Sequence, residues 1–513
     1  MELGQIKIVV NLQQWSRLGA LVLSVGVVLG YGLWGMDWSA ARWLQTYWGY
    51  YFCLSALVLF GGFLLGALRS EPKALWRARW RGTRRALTMA LLGAVVLQLH
   101  QPSVMKVYND EPTHMMTAQM MAVERVAAQP GAGHYEGGSF VHAQPEPFYR
   151  MYFFPFLVSI LHNLTGERLA NGYVLNFAAS VLLLFCAFLS ARSLSRCAAG
   201  GYLAQLLLVT WPLLSQTTTS LAYDVVNLAA LSVFFYLSVR YFRQSGASGL
   251  NLAISSGILL AYCRSEAVLF LLALGVLVLL KWQRERRLEL TWYAVLSPVF
   301  LLVPLAARVI GEEALSELTR FYPQAQAGAF HVSYVGTNLQ RVGGWFFSGS
   351  DSVLNSLPLS ILGLLALCGL LTLCCLGRSM RSWLKVQCPD LPVLLAFSVP
   401  LALQVTLVLF HFWNPTEGSA VRFFLPTGLY LSLLGATGLG VLAHVGGRRV
   451  FMVAGILCAV TFWLVGLPKS ARAEQTQNAV VGHYARQCEA WVAAHDDGRT
   501  LYARASGHLL LLR

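Results

Sequence analysis

Between Leu18 and Leu467 this sequence returns about thirteen times to an apolar run of membrane-helix composition. In a bilayer every backbone polar group must find its partner inside the protein, so a chain patterned this way crosses as helices. The runs lie near Leu18–Met36, Tyr50–Leu68, Ala86–His100, Gly172–Leu189, Gly200–Leu214, Leu221–Val239, Leu250–Tyr262, Ala267–Leu280, Trp292–Ala307, Val353–Leu376, Leu391–Phe410, Phe423–Leu442 and Phe451–Leu467. Hydrophobic residues make up 56% and charged residues 12% of the 513, against about 25% charged in ordinary soluble domains. The expected class is therefore an all-α polytopic membrane protein.

Charge sets the orientation. A basic loop carries Arg69, Lys73, Arg77, Arg79, Arg81, Arg84 and Arg85. Cytoplasmic loops are enriched in Lys and Arg, so this one is expected inside and the run Ala86–His100 leads outward. Every second loop thereafter repeats the signal: Arg192 and Arg196; Arg240 and Arg243; Lys281, Arg284, Arg286 and Arg287; Arg378, Arg381 and Lys385; Arg448 and Arg449. The net charge of +15 is thus mostly a topology signal, and with no clustered groove-reading motif the chain is not expected to bind nucleic acid. The start of the chain does not read as a cleaved leader, because Lys7 and Arg17 lead into a full-length span with no small-residue cleavage site.

Two long segments fall outside, 101–171 and 311–351, and a short tail follows, 468–513. Long loops are where function collects. In the first of them Asp110 and Glu111 stand side by side, followed by Pro112 and a segment with apolar residues on one side. This pattern predicts an acidic pair at the water boundary, then an amphipathic helix along the surface. Charge near a bilayer is expensive, which makes the pair a functional candidate. Asp110 could equally cap the helix that follows, and the two roles are compatible. The tail predicts a helix around 475–494, then a strand-like run, Thr500–Ala503. Of ten Cys only Cys488 lies clearly outside, and no CxxC spacing occurs, so apolar packing accounts for most of them.

Other charged residues also sit at outer ends of runs. Asp224 ends Leu221-Ala222-Tyr223-Asp224, Arg264 lies in the short turn Tyr262-Cys263-Arg264-Ser265-Glu266, and Arg422 opens Arg422-Phe423-Phe424-Leu425-Pro426. The first long loop also holds Pro145-Glu146-Pro147-Phe148-Tyr149, then Phe154-Pro155 and Leu164-Thr165-Gly166. His114, His134 and His142 share that loop with Glu136 and Glu146, which allows a divalent ion, with His114 and His142 as the candidate ligands. No cofactor is otherwise indicated. Snorkelling at the interface is the alternative for each Arg, helix capping for Asp224, and interfacial anchoring for Tyr149.

The order of these motifs, each at an outer helix end, resembles the GT-C superfamily of membrane glycosyltransferases. It is most similar to lipid A aminoarabinose transferases and protein O-mannosyltransferases. Two helices, within 1–85, precede what would be the GT-C-like core at 86–467. The sequence also lacks the family's Lys beside Pro, since Glu146 is followed directly by Pro147. The resemblance implies transfer of a sugar from a polyprenyl-phosphate donor to a lipid, glycan or protein acceptor at the periplasmic face of the inner membrane. It assigns Asp110 as catalytic base with Glu111 beside it. Substrate contacts would come from Glu146, Tyr149, Asp224, Arg264, Arg341 and Arg422, the Arg residues taking the charge of the departing phosphate. An O-antigen polymerase or ligase also combines many helices with Arg- and His-bearing outer loops. A transporter or flippase of lipid-linked sugars would instead hold its site near the midplane.

Overall fold

The computed structural model describes residues 12–473 apart from 71–72, 107–109, 137–138, 148–149, 376–381, 383–385 and single positions at 245, 326, 417 and 448, plus scattered residues between 487 and 495 and the strand at 501–503. Helices dominate, as expected for an all-α polytopic membrane protein. Two helices open the chain, α1 (Leu12–Gly30) and, after the short α2 (Trp38–Trp43), α3 (Gly49–Ser70). Next come α4 (Lys73–Leu99), α5 (Asp110–Val123), the hairpin strands β1 (Gln129–Glu136) and β2 (Ser139–Glu146), and α6 (Phe153–Thr165). The bundle continues with α7 (Ala170–Ser195), α8 (Ala198–Val209), α9 (Pro212–Thr218), α10 (Asp224–Arg243), α11 (Ala247–Ala261) and α12 (Leu271–Glu285). It closes with α13 (Trp292–Leu296), α14 (Leu302–Phe321), α15 (Val335–Phe347), α16 (Leu357–Cys375), α17 (Leu391–Phe410), α18 (Leu425–Gly446), α19 (Arg449–Thr461) and α20 (Leu467–Ala473).

Among the described residues nine helical spans are long and apolar enough to cross a membrane, or ten if α8 and α9 count as one bent span. Three further apolar helices are shorter: α6, α11 and Leu357–Leu373 within α16. The expected run Gly200–Leu214 is where one straight span becomes two pieces, bent by 72°. The break falls at Trp211 and Pro212, because Pro lacks the N–H a continuing helix needs and suits the first position of a new one.

The first long outer loop differs from expectation. The helix after Asp110 does form, but α5 is buried on nearly every side rather than laid along a surface. The hairpin and α6 cover what would be its exposed face. Strands β1 and β2 pair antiparallel from Gln129 opposite Glu146 to Glu136 opposite Ser139. The tail returns to this loop as β3 (Leu501–Ala503), on the other edge of β1, where the sequence predicted a strand-like run. The helix expected over 475–494 lies largely outside the described residues.

α10 fixes the two ends of the bundle. Its first turn carries Asp224 and its last turn Arg240 and Arg243, each charge opposing the helix dipole at its own end. Arg243 pairs with buried Asp390 and donates to the Ser193 carbonyl at 3.1 Å. Arg196 donates to the Val386 carbonyl at 2.8 Å. The Arg of two basic loops therefore meet at one end, and Asp224 lies at the other.

Candidate active site

Four separate helix ends meet at Asp224. Arg422 lies just before α18, in a 3-10 turn (Gly418–Phe424). One of its nitrogens donates to Asp224 Oδ2 at 2.9 Å and the other to Asp110 Oδ2, also at 2.9 Å. Arg264, in the turn after α11, pairs with Asp224 Oδ1, and its Nε meets Glu266 Oε1 at 2.5 Å. Its guanidinium lies over the rings of Tyr223, 5.1 Å away, and Phe423, 4.5 Å away.

Arg150 is the group the sequence reading missed. Its Nη2 donates to Asp110 at 3.1 and 3.3 Å and its Nη1 to the Tyr223 hydroxyl at 3.1 Å. It lies four residues beyond Glu146, in the connection from β2 to α6. The carboxylates Asp110, Asp224 and Glu266 thus face the guanidiniums Arg150, Arg264 and Arg422. Buried charge is tolerated only in such paired and hydrogen-bonded sets. Burial alone would raise the Asp110 carboxyl pKa; Arg150 and Arg422 outweigh it and hold the group well below the usual carboxylate range. At Arg264 burial opposes the charge, but Glu266, Tyr223 and Asp224 keep the guanidinium firmly protonated.

Glu111 occupies a different place from its neighbour. Its carboxylate accepts the backbone N–H of Lys106 at 3.0 Å and that of Leu221 at 3.0 Å. It ties the chain before α5 to the segment that leads into α10. His114, one turn along α5, is fully buried, edge-on to the Tyr223 ring at 4.8 Å and the Phe154 ring at 5.8 Å. Burial pushes its pKa down to about 3, against the opposing charge of Asp110.

Of the remaining candidates, Arg341 is exposed on α15. Glu146 ends β2 opposite Gln129, half-buried. His142 pairs through its backbone with Gly133; its side chain lies outside the described residues, as does Tyr149. Among the described residues no three side chains of metal-ligating type come together.

This sequence matches no protein-family model and no curated protein sequence. Solved structures do share its fold. ArnT from Cupriavidus metallidurans bound to undecaprenyl phosphate aligns with TM-score 0.50 and 13% identity, covering 80% of this chain and 81% of that one. The apo state of the same ArnT aligns at 0.44, with 15% identity over 81% and 80% of the two chains. Arabinosyltransferase EmbB from Mycobacterium smegmatis aligns at 0.39, with 12% identity over 79% of this chain and 42% of that one. The first of these likenesses is one of fold: this chain shares the fold of that ArnT over 80% of its length.

Proposed function

We propose that this multi-pass protein of GT-C fold is a glycosyltransferase that moves a sugar from a polyprenyl-phosphate donor to a lipid, glycan or protein acceptor. The observation that carries this reading is the burial of Asp110 against Arg422, which joins it to Asp224 and Arg264. An acceptor hydroxyl or amine attacks the anomeric carbon and gives its proton to Asp110, as a positioned carboxylate takes it in inverting transfer. The bond from that carbon to the phosphate oxygen breaks, and the phosphate leaves with its charge. Guanidiniums brought to that oxygen stabilise its growing charge. Attack from the face opposite the leaving phosphate inverts the anomeric centre. The ArnT structure that shares the fold holds undecaprenyl phosphate, which supports a carrier of this class. Arg196 and Arg243, from two of the basic loops, lie at the end of α10 opposite Asp224, which favours a site on the periplasmic side of the inner membrane.

The test is transfer of labelled sugar from a polyprenyl-phosphate donor by the full chain in proteoliposomes, wild type beside Asp110→Asn. The reading expects product from wild type and a loss of at least about a hundredfold in the variant. Equal turnover in both removes Asp110 as base. Uptake of the lipid-linked sugar with no transfer product makes the protein a transporter.

A further inference from the structure

A base must have a lone pair to offer, and Asp110 is engaged at both oxygens. Arg150 Nη2 reaches Oδ1 at 3.1 Å and Oδ2 at 3.3 Å, and Arg422 reaches Oδ2 at 2.9 Å. A carboxylate held this way is stabilised as the anion and accepts a proton poorly. The cluster also balances in charge, acid for guanidinium, so an arriving phosphate finds its cations already committed. Both obstacles are removed by the same movement if one guanidinium exchanges the carboxylate for the phosphate.

The arginines differ in their freedom to do this. Arg422 is clamped between two carboxylates, and its side chain is 9% exposed. Arg264 is held by Asp224 and Glu266 and lies over two aromatic rings, at 6%. Arg150 is at 25%, its contacts to Asp110 are longer than the one Arg422 makes, and it sits in the connection between β2 and α6 rather than in a helix. We propose that Arg150 is a positioning residue that exchanges between Asp110 and the donor's lipid phosphate, so that the proton acceptor is exposed only when donor is bound. Water and stray acceptors then meet a masked base in the empty enzyme. This inference rests on the transferase reading, because it needs a phosphate-bearing lipid in the site.

Competition of this kind has a thermodynamic signature that needs no turnover. Binding of undecaprenyl phosphate to the full chain in lipid nanodiscs is measured for wild type, Asp110→Asn, Arg150→Gln and the double variant. Asp110→Asn should tighten binding on the order of tenfold, because Arg150 no longer has a carboxylate to leave, and Arg150→Gln should weaken it. In the double variant most of the gain from Asp110→Asn should vanish, since contacting residues couple while independent sites add. Arg150→Lys, run beside it, should retain the coupling in reduced form; it serves if Arg150→Gln does not fold. Additive effects, or weaker binding in Asp110→Asn, overturn the exchange and leave the transferase reading standing. No binding by the folded wild type removes the transferase reading and the exchange with it.

Discussion

Arg422 donates to Asp110 across 312 residues of chain, at 2.9 Å, while its second nitrogen reaches Asp224 at the same distance. One guanidinium therefore fixes the start of α5 against the start of α10, and two acids that would repel are held in one site. The fold around the site and the charge balance within it depend on the same side chain.

Removing that side chain strands buried charge. Asp224 is 1% exposed, and breaking a buried pair from one side costs about 3–5 kcal/mol. Arg422→Gln should lower the melting temperature of the purified protein and reduce transfer by at least about a hundredfold. Adding Asp224→Asn should recover part of the stability and none of the activity. Arg422→Lys, a point charge without a fork, should fall between wild type and Gln in stability. Full activity in Arg422→Gln would leave the bridge as structure alone.

Glu111 and Asp110 should separate when measured together. Glu111 accepts two backbone N–H groups, and bonds to a charged acceptor contribute about 1.5–3 kcal/mol each. Glu111→Gln should lower the melting temperature while transfer per folded molecule stays within a few-fold of wild type. Asp110→Asn should lose at least about a hundredfold in transfer per folded molecule, and it should also lower the melting temperature, because it unpairs Arg150 and Arg422. A fully stable but inactive Glu111→Gln would return that carboxylate to the chemistry.

The sequence made part of this site legible. Asp110, Asp224, Arg264 and Arg422 each stand at an outer helix end, where a charge cannot hide in an apolar run, so counting runs and reading their ends was enough to find them. Arg150 has no such mark: it lies between a strand and a short helix, and its role exists only through Asp110 and Tyr223. The backbone bond from Leu221 to Glu111 spans 110 residues and has no mark in the sequence. The hairpin was hidden for a local reason. Gln129-Pro130-Gly131-Ala132-Gly133 carries the residues that argue against strands, and pairing with β2 and β3 overrode them. Arg341 satisfied the same rule as Arg422, an Arg in an outer segment, and α15 leaves it exposed.

His114 gives the site a measurable response to acid. Its pKa is held down at about 3 by burial, against about 6.5 in an unfolded chain. A group depressed on folding adds its full stability above the unfolded value and loses it as pH falls toward the folded one. The loss should begin near pH 6.5, at up to about 1.4 kcal/mol per pH unit. Asp110 is also depressed, but its share is lost only below the ordinary carboxylate range, so it contributes nothing to the change between pH 6.5 and 4.5. Thermal unfolding across that window should cost wild type about 2 kcal/mol more than His114→Gln. Parallel curves for the two proteins would mean that His114 titrates normally.

The approach of α18 to the bent span gives the last test. A Cβ added at Gly428 would fall on the six-membered ring of Trp211, which is 1% exposed and caps α9 at the break. Neither partner can yield, because the indole is enclosed and the glycine belongs to helical backbone, so overpacking should cost Gly428→Ala about 1–3 kcal/mol or more. Gly428 follows Arg422 by six residues, less than two helical turns, so a shift of α18 that relieves the clash also moves the bridging guanidinium relative to Asp110. Transfer should therefore fall by more than the lost folded fraction explains. Trp211→Phe should be destabilising alone, by removing buried ring, and yet rescue much of the stability in the Gly428→Ala background, a sign reversal that only direct contact produces. If the two substitutions add instead, the helix does not rest on the break, and Arg422 owes its position to the turn that carries it.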